Sequence, residues 1–149
     1  MTLEADISCL RQVPLFRSLP LPRLKLVALM GEKLRFEPGT QIIAEGETPE
    51  GVFVVLQGEL EISHEGPSGE GPRLPLHTGS LVGDVPLLSG RSYVGAITAK
   101  TAVVALRLPK DLFFELLETI PDFSLALTRD LASRLYRLAD RTLHAEKVH

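Results

Sequence analysis

The spacing of apolar residues changes twice along this chain, from a helical period to a strand period and back again. From Leu3 to Val13 apolar residues recur every three or four positions, which predicts a short amphipathic helix closed by Pro14. A second apolar series predicts another short helix that ends near Gly31. We therefore expect segment 1–31 to be helical.

Short apolar runs separated by Gly and Pro replace the helical pattern after Lys33. The run 52–56 is continuous, β-branched and aromatic, so we expect it at the centre of a sheet. Segment 64–72 is rich in Gly and Pro with hardly any apolar side chain, which predicts an exposed, mobile hairpin tip. Strands are predicted at 34–36, 41–44, 52–56, 60–63, 74–76, 81–82 and 102–108. Such short, evenly spaced strands favour a β-sandwich or barrel of the jelly-roll type.

The helical period returns at Pro109 and predicts two helices, one that stops before Pro121 and one from about 122 to near 147. One stripe of the longer helix carries leucines, namely Leu127, Leu131, Leu135 and Leu138. The arginines of this helix are placed elsewhere around the cylinder and alternate with aspartates, which predicts a solvated face: Arg129, Arg134, Arg137 and Arg141. No linker or repeat divides the chain, so we expect one domain, 1–149, with N-terminal helices 1–31, a β-roll 33–108 and C-terminal helices 109–147.

Composition narrows the function class. The 149 residues carry a net charge of -3, which argues against a basic nucleic-acid-binding domain, and we expect no nucleic acid to bind to this chain itself. The single cysteine, Cys9, allows no internal disulfide and favours a reducing compartment. The acidic start is unlike a secretory signal and no apolar run is long enough to span a membrane, so we expect a soluble, cytoplasmic protein.

An enzyme is not expected. The four histidines lack the His-x-His pair of metal-binding jelly rolls: His64, His77, His144 and His149. No nucleophile motif, phosphate-binding P-loop or pair of catalytic carboxylates is visible. We therefore predict neither a catalytic residue nor a metal site.

Four segments, in this order and at this spacing, resemble the cyclic nucleotide-binding domain, a family that includes catabolite-activator (Crp/Fnr-like) regulators, kinase regulatory subunits and gated channels. They are 36–40 (Phe-Glu-Pro-Gly-Thr), 43–47 (Ile-Ala-Glu-Gly-Glu), 52–62 (Val-Phe-Val-Val-Leu-Gln-Gly-Glu-Leu-Glu-Ile) and 83–90 (Gly-Asp-Val-Pro-Leu-Leu-Ser-Gly). The resemblance covers nearly the whole chain. It implies a mainly β fold with flanking helices, a double-stranded β-helix (jelly roll) with short N-terminal helices and two C-terminal helices.

The resemblance makes segment 83–99 the phosphate-binding cassette. In the family, a helix N-terminus and an arginine hold the cyclic phosphate, and a glutamate accepts the ribose 2'-hydroxyl. The implied ligand is a cyclic nucleotide, cyclic AMP or cyclic GMP, and no other cofactor is implied. The implied ligand-binding residues are Gly83, Asp84, Val85, Arg91, Ser92, Tyr93 and Val94.

This cassette departs from the family pattern at its charged positions. Aligned without a gap from Gly83, Tyr93 takes the place of the arginine and Asp84 that of the glutamate, while Val94 removes a hydroxyl. Arg91 lies two residues before the expected arginine and is either a substitute cation or a solvated loop charge. Asp84 is either a ribose contact or the N-cap of the cassette helix, or both. Tyr93 is either a ligand contact or a wall residue of the sandwich.

Two functions remain open from the sequence. The first is a regulatory sensor of a small anionic nucleotide, with weakened or altered cyclic-nucleotide affinity, that relays cassette occupancy to the C-terminal helices. The second is a ligand-independent dimerisation or scaffold domain, or the sensor fragment of a longer transcriptional regulator, since no DNA-binding domain is expected after the long helix. The leucine stripe of that helix either pairs with a second copy or another protein, or packs on its own β-roll.

Overall fold

The computed structural model describes residues 2–64 and 71–145. It begins with α1 (Leu3–Arg11), a 3-10 helix (Pro14–Ser18) and α2 (Leu21–Met30). The Thr2 hydroxyl accepts a hydrogen bond from the Ala5 amide and so caps α1. The helical character predicted for the first segment is thus confirmed, and Pro14 starts a separate 3-10 turn after α1 ends.

The described residues form eight strands in two antiparallel four-stranded sheets. They are β1 (Glu32–Phe36), β2 (Gln41–Ile43), β3 (Gly51–Gln57), β4 (Leu60–Ser63), β5 (Arg73–Leu76), β6 (Leu81–Val82), β7 (Ala96–Ala99) and β8 (Val103–Pro109). One sheet has the order β1-β8-β3-β6 and the other β2-β7-β4-β5. This is the jelly roll with flanking helices that the sequence predicts.

Strand β3 has the central place predicted for it, between β8 and β6, and buries both faces. Val52 and Val54 pack in the core between this sheet and the helices, whereas Val55 packs inside the roll. A strand buried on both faces needs apolar residues at successive positions, which explains its unbroken apolar run.

The predicted hairpin between β4 and β5 is present, because the two strands pair from Leu60 opposite Leu76 to Ser63 opposite Arg73. Most of its predicted mobile tip, residues 65–70, lies outside the described residues. His64, the first residue of that predicted segment, is exposed and its ring nitrogen lies 2.8 Å from a Glu45 carboxylate oxygen.

Two helices follow the roll, α4 (Lys110–Thr119) and α5 (Pro121–Leu143). The ring of Phe123 on α5 contacts the ring of Phe16 on the 3-10 helix and the ring of Phe113 on α4, and these contacts hold the three helices together. The helix α5 ends at Leu143 and not near 147, and its buried residues are confined to its first part, at Phe123 and Leu127. Within the described residues, no helix is both long enough and apolar enough to cross a bilayer.

Candidate functional site

A short helix, α3 (Asp84–Ser89), connects β6 to β7 and forms the cassette. Gly83 has φ of 96° and Gly90 has φ of 68°, both in the left-handed region that side chains disfavour. Each glycine therefore lets the chain turn sharply at one end of α3. The Arg91 amide donates to the Pro86 carbonyl at 2.9 Å and closes the turn after Gly90.

A cavity of about 520 Å³, here called the cassette cavity, opens beside α3. All seven residues named from the sequence line it, and Arg134 of α5 lines it as well. The rest of its lining is mainly apolar and comes from both sheets and α3: Ile62, Leu76, Leu81, Val82, Pro86, Ser89 and Ile97. A largely apolar cavity of this size with a few convergent polar groups has the character of a small-ligand site.

Tyr93 fills the place that the gapless alignment gives to the family's arginine. It is 4% exposed and packs in the core inside the roll. Its hydroxyl lies against Gly83, where a β-carbon would come within 2.3 Å of the Tyr93 Oη. Burial raises the pKa of Tyr93 to about 12, and the charges of Glu47 and Asp84 add to this shift. Tyr93 is thus a neutral wall residue of the roll that also borders the cavity.

Asp84 is buried, with 1% of its surface exposed, and its carboxylate is held by Arg134. The Arg134 Nη2 lies 2.5 Å from one carboxylate oxygen and Nη1 lies 3.5 Å from the other. The interpretation of Asp84 as an N-cap is wrong, because Gly83 occupies that position and α3 begins at Asp84 without a side-chain cap. The carboxylate instead links the cassette to α5.

Arg134 also reaches Asp130 on its own helix, at 2.8 Å. Burial acts to lower the pKa of Arg134, but hydrogen bonds and the charges of Asp84 and Asp130 hold it above its ordinary value. The prediction that this arginine belongs to a solvated face is therefore wrong. Sequence reasoning missed it although it lies three residues after Leu131 and four before Leu138, on the apolar stripe itself.

The remaining predicted residues lie on the open side of the cassette cavity. Val85 is 51% exposed and Val94 is 81% exposed, and Arg91 and Ser92 are also exposed. Among residues 2–64 and 71–145, the Arg91 side chain has no hydrogen-bond or ion-pair partner. Counting the described residues alone, the cavity thus has one free cation at its rim, Arg91, and one ion pair in its wall, Asp84 with Arg134.

Comparison with known proteins identifies the family. The model of the cyclic nucleotide-binding domain matches residues 33–120, from β1 to the end of α4. The regulatory subunit of cAMP-dependent protein kinase from Yarrowia lipolytica is 34% identical over 76% of this chain, which spans 30% of that protein. The chain thus spans about a third of the length of this curated relative.

Solved structures agree with the fold. The sensor domain of the transcriptional regulator DNR from Pseudomonas aeruginosa matches with a TM-score of 0.80 and 18% identity, and 93% of each chain is covered. The regulatory domain of Toxoplasma gondii protein kinase A, solved with cAMP, matches with a TM-score of 0.67 and 29% identity over 76% of this chain and 43% of that chain. These relatives are regulatory subunits or sensor domains. The chain belongs to the cyclic nucleotide-binding domain family and is similar to its regulatory domains.

Proposed function

We propose that this domain is a cytoplasmic regulatory sensor whose cassette cavity binds a small anionic nucleotide, with cyclic AMP or cyclic GMP as the candidate ligands. The observation that carries the proposal is the cavity lined by Gly83, Asp84, Val85, Arg91, Ser92, Tyr93 and Val94 and joined to α5 by the Asp84–Arg134 ion pair. The T. gondii relative was solved with cAMP, which makes cAMP the first ligand to test. The role is regulatory and not catalytic.

The affinity is proposed to be weaker than that of a cassette with the family's arginine. Tyr93 is neutral at physiological pH and cannot form an ion pair with a phosphate as an arginine does. Loss of one charge-assisted hydrogen bond lowers affinity by roughly ten- to a hundredfold. Arg91 at the rim is the cation that can partly replace it, because its guanidinium has no partner within the described part of the chain.

The signal is proposed to pass through Arg134 to α5. A ligand hydroxyl that donates to Asp84 competes with Arg134 for the same carboxylate oxygens. Ligand binding would thereby weaken the only ion pair, among those of the described residues, that joins α3 to α5. The two arrangements of this pair form a two-state element that a ligand can bias.

The test is to place an arginine at the predicted phosphate position. We expect Tyr93→Arg to raise the affinity for cyclic AMP by about ten- to a hundredfold, since it restores one charge-assisted hydrogen bond. The same change removes a buried ring from the roll, so unfolding without ligand should occur at a lower temperature. Calorimetric titration of both proteins with cyclic AMP measures the affinities. Equal affinities in a folded variant would reject the gapless alignment.

A second function is favoured by the exposed leucines of α5. Leu135 is 68% exposed and Leu138 is 49% exposed, and both lie on the stripe whose earlier residue Leu127 is buried. An apolar stripe that continues past its own core suits a partner helix. A homodimer or another protein partner through α5 is thus the alternative, either in a ligand-independent scaffold or in the sensor part of a longer regulator.

A further inference from the structure

A second cavity of about 540 Å³ lies on the other side of Arg134, and we call it the arginine cavity. Its walls come from the segment 13–15 around the 3-10 helix, from the turn 78–81 between β5 and β6, and from one face of α5. It shares Leu76, Leu81 and Arg134 with the cassette cavity. Arg134 therefore stands in the wall between two cavities of similar size.

The charged residues of the arginine cavity are unbalanced. Arg129, Arg134 and Arg137 line it together with one carboxylate, Asp130, so the lining has an excess of two positive charges. Asp130 is already bound to Arg134 at 2.8 Å. Arg129 and Arg137 are exposed and have no acidic partner among residues 2–64 and 71–145. Within the described part of the chain, these two guanidinium groups thus line one cavity without an ion-pair partner.

Arg134 adds an unsatisfied donor. Its Nη2 binds both Asp84 and Asp130 and its Nη1 lies 3.5 Å from Asp84, while its Nε is buried and has no acceptor within the described residues. A buried donor without an acceptor destabilises a protein. The apolar part of the same cavity is formed by Val13, Pro14, Leu15, Leu76, Leu81 and Ala126.

The hydroxyl groups of the turn 78–81 are already engaged. The Thr78 hydroxyl donates to the Gly58 carbonyl, and the Ser80 hydroxyl accepts from the His77 amide. The arginines are the cationic donors of this lining, and guanidinium groups bind carboxylates and phosphates with paired hydrogen bonds. The volume is within the range of small-molecule sites.

We propose that the arginine cavity is a second ligand site, which binds a small organic anion whose carboxylate or phosphate pairs with Arg129 and Arg137 and whose apolar body packs on segment 13–15. This site is distinct from the cassette cavity, although the two cavities share Leu76, Leu81 and Arg134 in their linings. Since Arg134 lines both cavities, an anion bound here changes the surroundings of the guanidinium that holds Asp84.

Phenyl phosphate and benzoate are suitable probes, because they share an apolar ring and differ in the anion. Binding is measured from the NMR signals of the arginine Nε–H groups while each probe is added up to about 10 mM, a concentration at which weak binding is detected. We expect either probe to shift the Arg134 signal to saturation. Inorganic phosphate, which lacks the ring, and benzyl alcohol, which lacks the charge, should bind at least about tenfold more weakly.

The decisive comparison uses the double variant Arg129→Gln with Arg137→Gln. Both side chains are exposed, so the variant should fold. The loss of two charge-assisted contacts should lower the affinity for the more tightly binding probe by at least about tenfold. The matched control is Arg141→Gln, an exposed arginine of the same helix outside the cavity lining, which should bind like the unaltered protein. Absence of binding by both charged probes, or equal binding by the double variant, would overturn the proposal.

Discussion

At the residue scale, Tyr93 decides what the cassette can hold. A family cassette places a cation where this chain has a buried, neutral phenol packed against Gly83. The phenol is part of the core inside the roll. Under the proposed function, the same residue is expected to lower the affinity of the cassette for a phosphate.

The buried hydroxyl predicts an alkaline loss of stability. Burial raises the pKa of Tyr93 to about 12, above the value of 10.0 for an unperturbed tyrosine. From pH 10 to 12 the unfolded chain loses this proton while the folded chain keeps it, so the free energy of unfolding falls as pH rises through that window. We expect this group to contribute at most about 2–3 kcal/mol to the fall.

Urea unfolding at both ends of this window measures the effect. Tyr93→Phe should lose this part of the pH dependence, since phenylalanine has no proton to release. Tyr136→Phe is the matched control, because Tyr136 is 74% exposed and the change leaves the core of the roll untouched. If Tyr93→Phe follows the same pH dependence as the unaltered protein, the Tyr93 hydroxyl is not held neutral by burial.

The residues of the cassette cavity can be predicted from the sequence because they are neighbours along the chain. A motif of contiguous residues predicts that Gly83 to Val94 lie together, and they do line one cavity. Arg134 lies fifty residues after its partner Asp84, and such a contact depends on how α5 packs. One signal in the sequence indicates this contact: a charged residue lies on the apolar stripe between Leu131 and Leu138. A charge that is buried at such a position needs a partner of opposite charge.

At the element scale, the pair of Asp84 with Arg134 couples α3 to α5, and its two ends are unequal. Asp84 is nearly inaccessible, whereas the Arg134 side chain is 30% exposed and keeps Asp130 when Asp84 is removed. Arg134→Gln leaves a buried carboxylate without a partner and should lower the free energy of unfolding by about 3–5 kcal/mol. Asp84→Asn leaves a partly exposed guanidinium that is still paired with Asp130, and it should lower the free energy of unfolding by only about 1–2 kcal/mol.

Urea unfolding of the two single variants and the double variant tests this coupling. The double variant should be more stable than the sum of the single effects predicts, because each single change already breaks the shared contact. Arg141→Gln, an exposed arginine on the same helix, should change the free energy of unfolding by less than about 0.5 kcal/mol. Additive single effects would show that α3 and α5 are not coupled through this pair.

The exposed apolar stripe of α5 predicts that two copies of the chain associate through this helix. We expect the double variant Leu135→Glu with Leu138→Glu to convert a homodimer to a monomer in sedimentation velocity, with little loss of stability because both side chains are largely exposed. Leu29→Glu is the matched control on α2, where Leu29 is 68% exposed, and it should remain dimeric. A monomeric unaltered protein at high concentration would reject the homodimer.

The elements themselves follow closely from the sequence. The change between helical and strand periods locates both helical segments, and the doubly buried β3 is visible as an unbroken apolar run. The sequence predicts that α5 ends near 147, because Thr142 and Ala145 continue the spacing of the stripe, whereas the helix ends at Leu143. Both side chains are small and offer little apolar surface for packing. Sheet order was not derivable from the residues alone, because it depends on pairing between distant strands.

At the scale of the whole molecule, two cores share one sheet. One core fills the roll and includes Tyr93, and the other joins the outer face of the β3 sheet to the helices and includes Leu127. Arg134 lines both cavities that open next to these cores. A ligand that changes the Asp84–Arg134 pair therefore acts where the roll and α5 meet, which suits a domain that reports occupancy to its last helix.

The central claim is that the cassette cavity binds an anionic nucleotide, and thermal unfolding during titration with cyclic AMP and cyclic GMP tests it most directly. A ligand at about a hundred times its dissociation constant stabilises the folded state by about 2.7 kcal/mol, and for a domain of this size this raises the Tm by several degrees. We predict such a rise with at least one of the two nucleotides at millimolar concentration. An unchanged Tm with both would contradict the sensor function and favour the scaffold.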